Sequence, residues 1–170
     1  MRSAVGISVL PAQAVAKAKG GEDVKSPGSP SGMAPAMDAR HPMRRLIRSG
    51  SSFEALAGYS RAVVDGSDVH VSGTTGFDYA RMTIDEDAVA QTHQCFRNID
   101  DALREAGCTL DDVVRVRYLL TDAALFERLA PLFGEYFARV RPAATAQICG
   151  LVDPRMRIEI EVTAKLPETA

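Results

Sequence analysis

With 170 residues, 46% of them apolar and 25% charged, the chain has room for one globular domain with a sizeable core. A formal charge of −2 supplies no positive field of the kind that a nucleic-acid backbone or an anionic membrane surface attracts, so neither is expected as a partner. The cysteines Cys95, Cys108 and Cys149 are widely spaced and odd in number, which argues against a disulfide framework or a metal site and suits reduced thiols in a cytoplasmic protein.

No apolar run reaches membrane-spanning length, and Val9-Leu10-Pro11-Ala12-Gln13 is too broken for a secretory core, so no cleaved signal is expected. Residues 1–42 pass through Gly20-Gly21 and the Pro/Gly/Ser run from Ser26 to Gly32. Such a composition cannot bury enough apolar surface to offset the entropy of ordering it, and a disordered tail is predicted. Met33, Met37 and Met43 offer alternative starts, so this tail need not belong to the mature protein.

The domain is expected over 43–170. Arg45-Leu46-Ile47-Arg48, Arg61-Ala62-Val63-Val64 and Val69-His70-Val71-Ser72 read as three short strands, the last two joined through the turn signal at Asp65-Gly66. A long helix follows from about Asp85 to Ala106, with Val89, Phe96, Ile99, Leu103 and Ala106 at helical spacing. Asp85, Glu86 and Asp87 suit its positive end, and Gly107 suits its C-terminal stop.

Val113 to Leu120 alternates as a fourth strand, with Val114, Val116 and Tyr118 assigned to one face and Arg115 and Arg117 to the other. Asp122 caps a second helix bearing Leu125, Leu129, Leu132, Phe133 and Tyr136, in which Pro131 should force a kink or a restart. Ala143–Leu151 and Arg157–Ala164 complete a βββαβαββ order. This predicts an α+β fold, a six-stranded mixed sheet with two helices on one face.

In the last strand Ile158, Ile160 and Val162 alternate with Glu159 and Glu161, which turns both carboxylates away from the helices. Cross-strand pairing with Arg115 and Arg117 would satisfy them. A solvated ionic face and an interface or cleft are both open at this point.

From Arg45 to Leu166 the chain resembles the Rid/YjgF family. The carrying features are Gly58-Tyr59, Ser72-Gly73, Asn98-Ile99, Ala106-Gly107, Asp111-Asp112-Val113-Val114, Glu135-Tyr136-Phe137, Arg141-Pro142-Ala143 and Ile158-Glu159-Ile160-Glu161, in that order. The resemblance implies a chorismate-mutase-like fold and a homotrimer, its three sheets forming a central barrel with small-molecule clefts between subunits. It also implies hydrolysis of enamines and imines to ammonia and a 2-oxo acid. Tyr59 and Gly73 would contact substrate, and Glu159 would position the attacking water. The sequence carries no P-loop, dinucleotide fingerprint or His-Glu-x-x-His motif, so no metal or organic cofactor is expected.

The deaminase clade clamps the substrate carboxylate with an arginine where this chain has Ala144, and it carries a cysteine at the position of Ala146. An asparagine of the second helix corresponds to Ala130. A bidentate pair to a carboxylate contributes about 1.5–3 kcal/mol, which alanine cannot supply. Arg115, Arg117, Arg139 and Arg141 are candidate replacements, Arg117 first among them, with a structural pairing of Arg117 to Glu159 or Glu161 as the plainer role. The cleft should also be roomier and less polar, suiting a bulkier or less anionic substrate.

Cys149 has no histidine in a pairing context and reads as packing, His70 as a residue of the polar sheet face, and His93 as solvated. Three functions remain: an imine or enamine hydrolase, a non-catalytic metabolite-binding or protein-interaction trimer, and a ribonuclease, the last disfavoured by charge.

Overall fold

A computed structural model of the chain describes residues 37–38 and 41–168. Most of the tail predicted over 1–42 therefore lies outside the described residues. The strands are β1 (Met37–Asp38), β2 (His41–Ile47), β3 (Ala62–Asp65), β4 (Asp68–Thr75), β5 (Phe77–Asp78), β6 (Thr83–Ile84), β7 (Val113–Leu120), β8 (Ala143–Ile148) and β9 (Ile158–Lys165). The helices are α1 (Ser52–Ala57), α2 (Ala88–Ala106) and α3 (Ala123–Tyr136).

The main sheet runs β1-β2-β3-β4-β9-β7-β8, and β5 and β6 form a separate two-stranded ribbon. All pairings in the main sheet are antiparallel except that of β7 with β8, which α3 connects. A parallel pair needs such a crossover, because a tight turn cannot bring the second strand back in the same direction. With the six expected strands, a two-residue edge strand and both long helices against the sheet, this is the chorismate-mutase-like α+β architecture. Among the described residues no helix is long and apolar enough to cross a membrane.

The core lies between the sheet and the helices, with α2 across β4 and β9 and α3 against β7. Ile158, Ile160, Val162 and Ala164 of β9 turn inward together with Phe96, Ile99 and Leu103 of α2. Each of the large side chains contributes about 1.5–3 kcal/mol on burial. Asp87 caps α2 by accepting hydrogen bonds from the Val89 and Ala90 amides, and Gly107 ends it in the left-handed region at φ 96°.

Several expectations require correction. α2 begins at Ala88, because the Asp87 side chain is spent on the cap. α3 runs through Pro131 without restarting. In β7 the register against β9 shifts between Val113 and Arg115, which turns Val113 inward and leaves Val114 46% exposed. β8 stops at Ile148, short of the expected Leu151. β2 begins at His41, ahead of the expected Arg45. His93 donates to or accepts from the Tyr136 hydroxyl at 2.9 Å and is half-buried, so it is packed rather than solvated.

Candidate functional site

β4 kinks where it leaves the regular ladder. Val71 pairs with Val162 and Thr74 with Ile160, so Ser72 and Gly73 together oppose the single residue between those partners. This bulge sets Gly73 against β9, and the Glu159 carboxylate fills the space beside its Cα: a Cβ placed on Gly73 would lie 2.8 Å from Glu159 Cδ. Residue 73 must therefore lack a side chain for Glu159 to sit where it does.

A cavity of about 400 Å³ opens in front of this pair. Phe53 and Tyr59 come from α1 and the segment after it, Gly73 and Thr75 from β4, Tyr79 from the β5–β6 ribbon, and Glu159 from β9. Thus Tyr59, Gly73 and Glu159, drawn from three distant stretches of sequence, share one lining. Burial raises the Glu159 carboxyl above its ordinary range and neighbouring Glu161 raises it further, while the Arg61 guanidinium acts in the opposite direction. Burial likewise raises the Tyr59 phenol, against an opposing effect of Arg61.

Arg61 stands behind the cavity and was not among the residues singled out from sequence. Only 2% of it is exposed. Its Nη1 donates to the Gly73 carbonyl at 3.1 Å and to Thr74 Oγ1 at 3.2 Å, and its Nη2 donates to the Tyr59 hydroxyl at 3.3 Å. Its Nε faces Glu54 Oε1 at 3.5 Å, an ion pair without a hydrogen bond. Glu54, itself buried, accepts from the Ser49 amide and hydroxyl. A charge as deeply buried as Arg61 requires such a partner.

Ser51-Ser52-Phe53-Glu54 has the spacing of a capping box at a helix start. Ser51 does cap α1 by accepting from the Phe53 amide, and Gly58 closes it at φ 70°. The Glu54 carboxylate, however, turns to Ser49 and Arg61 instead of back to the cap.

The remaining site residues lie elsewhere. Arg117 pairs with Glu161 at 3.0 Å and donates to Gln147 Oε1 at 3.2 Å, so it ties β7 to both neighbours. Arg139 pairs with Asp111. Ala144 and Ala146 line a second cavity of about 360 Å³ with Ala130 and Arg141, and this cavity shares no lining residue with the first. A single protomer does not bring the Ala144 and Ala146 positions to Glu159.

The cysteines are free, with Cys95 and Cys108 buried as small apolar groups. Burial is the main cause that raises both thiols, that of Cys108 to about 11. Among the described residues no group of three His, Cys, Asp or Glu side chains is arranged to hold a metal ion.

The family model described as Endoribonuclease L-PSP matches residues 49–166. The chain is 30% identical over 72% of its length to a human 2-iminobutanoate/2-iminopropanoate deaminase, of which 90% is covered. It is 32% identical over 71% of its length to the Streptomyces coelicolor protein SCO2049, again covering 90% of that relative. The crystal structure of Rv2704 from Mycobacterium tuberculosis, described as a member of the YjgF/YER057c/UK114 family, superposes with a TM-score of 0.66 at 38% identity, over 72% of this chain and 99% of that one.

Proposed function

Because the chain belongs to the endoribonuclease L-PSP family, also known as YjgF/RidA, we propose that it is a small-molecule hydrolase acting on imines or enamines in a cleft completed by a neighbouring subunit of a homotrimer. The observation that carries this reading is the convergence of Tyr59, Gly73 and Glu159 on one cavity. Hydrolysis adds water across C=N and releases ammonia and a carbonyl compound. The step needs a group that orients water toward the imine carbon and handles its proton.

Glu159 fits that task. A carboxyl raised by burial and by Glu161 is a stronger proton acceptor than an ordinary glutamate, and the Gly73 bulge holds it in place. Tyr59, its hydroxyl held by Arg61, orients the substrate. The trimer is supported by the outer strand β8, which is exposed along its whole length, and by the separation within one protomer of the Ala144 cavity from the Glu159 cavity. The net charge of −2 favours a small molecule over RNA.

Ammonia release from freshly generated imines, compared between wild type and Glu159→Gln, tests the reading. Turnover that falls by two orders of magnitude or more in the variant supports it. Unchanged turnover in the variant removes Glu159 from the mechanism. A well-assembled trimer that turns over no substrate indicates a metabolite-binding module, the reading that the absent arginine at position 144 favours.

A further inference from the structure

The second cavity lies between α3, β7 and β8, over the Arg141-Pro142 turn. Its walls are aromatic: Tyr118 and Phe133 stack with ring centroids 3.9 Å apart and planes 11° from parallel, and Phe126 and Phe137 stand beside them. Ala144 and Ala146 leave its floor open. A cavity of roughly 150 Å³ with comparable lining is enough to admit benzene, so about 360 Å³ has ample room for an aromatic ring.

Arg141 is the one charged residue in that lining. Its backbone takes φ 45°, a left-handed conformation that non-glycine residues rarely adopt, and its amide is anchored to the Phe137 carbonyl at 3.0 Å. Among the described residues no carboxylate pairs with it, whereas Arg117 and Arg139 are both engaged and Arg115, likewise without a carboxylate partner, is not in that lining. An arginine without a carboxylate partner in the lining of an otherwise apolar, aromatic cavity matches a ligand with a carboxylate at one end and a flat apolar group at the other.

We propose that Arg141 supplies the carboxylate-binding cation that position 144 lacks, and that this cavity selects carboxylates bearing an aromatic or similarly bulky apolar substituent. The proposal rests on the small-molecule reading above, yet it concerns recognition and is tested without turnover.

Calorimetric titration of the full chain with phenylpyruvate, pyruvate and phenylacetone separates ring from charge. Phenylpyruvate should bind at least about ten times more tightly than pyruvate, through the buried ring. Arg141→Gln should weaken phenylpyruvate binding roughly ten-fold or more while leaving phenylacetone unchanged, and Arg141→Lys should retain part of the affinity. Ala146→Leu, which fills the floor without touching the charge, should weaken both aromatic probes and carries the test if Arg141→Gln does not fold.

Equal affinity for pyruvate and phenylpyruvate, or full phenylpyruvate affinity in folded Arg141→Gln, would overturn the proposal, as would absence of phenylpyruvate binding. Binding that follows this pattern without ammonia release would sink the hydrolase and leave the recognition site. Ammonia release that depends on Glu159 but is indifferent to Arg141 and Ala146 would do the reverse.

Discussion

The Glu159 carboxylate occupies the volume that a side chain at Gly73 would claim. A strand bulge and a half-buried acid thus hold each other in place, and the group proposed to handle the proton depends on a residue that has no side chain.

Gly73→Ala should therefore push Glu159 out of position. Overpacking of this kind costs about 1–3 kcal/mol, and the displaced carboxylate should lose at least ten-fold in turnover. Thermal melting and ammonia release measure the two effects separately. Wild-type activity in a folded variant would show that the carboxylate can work from elsewhere.

The elevated Glu159 carboxyl fixes the sign of a pH effect. A group whose folded pKa is raised stabilises the fold while protonated, and that contribution is lost as pH rises from the ordinary glutamate value through the raised one. At neutral pH the wild type carries the cost of a desolvated charge beside Glu161. Glu159→Gln should melt about 2 °C higher at pH 7, with the gap closing below the ordinary glutamate range. Melting curves across pH check this, and a variant less stable at pH 7 would contradict it.

Removing one member of the Arg61–Glu54 pair leaves the other charge buried without its partner. Arg61→Met should cost about 3–5 kcal/mol in denaturant unfolding, and a double variant with Glu54→Gln should recover part of that loss. Where Arg61→Met folds, loss of the guanidinium should free the Tyr59 hydroxyl and Gly73 carbonyl and move the acid limb of the pH–rate profile upward, because the Arg61 charge lowers the Glu159 carboxyl. An unmoved profile would confine Arg61 to a scaffolding part.

Arg117 and Glu161 face each other across β7 and β9 on the side away from the helices. Arg117→Glu would set a third acid beside Glu159 and Glu161, whose repulsion should dissociate a trimer built on this face. Sedimentation velocity should show the shift to smaller species, growing as ionic strength falls. A trimer indifferent to the reversal would place the interface elsewhere.

The elements written in strong local chemistry were legible from sequence. α2 carries its stripe, its Asp87 cap and its Gly107 stop in one stretch, and β9 declares both faces through strict alternation. The Val113–Arg115 irregularity was not legible, because a bulge breaks the period of two on which the face assignment depends, and Val114 was misassigned for that reason. α1 has only six residues, too few for an apolar stripe to declare itself. Arg61 escaped notice because its meaning lies in distant partners: no local pattern tells a buried arginine holding Gly73 and Tyr59 from a charged residue at a strand's start. Tyr59, Gly73 and Glu159 were named through family resemblance, and their meeting at one cavity is a product of topology.

The unequal step at Ser72 and Gly73 also works as a ratchet on the pairing of β4 with β9. Sliding either strand by a single residue would swing Glu159 and Glu161 into the oily interior and push Ile158 and Ile160 toward water, so mispaired intermediates during synthesis are heavily penalised. A one-residue deletion in this stretch would iron out the kink and erase the acid's berth in the same event, which ties correct assembly of the sheet to possession of a working site.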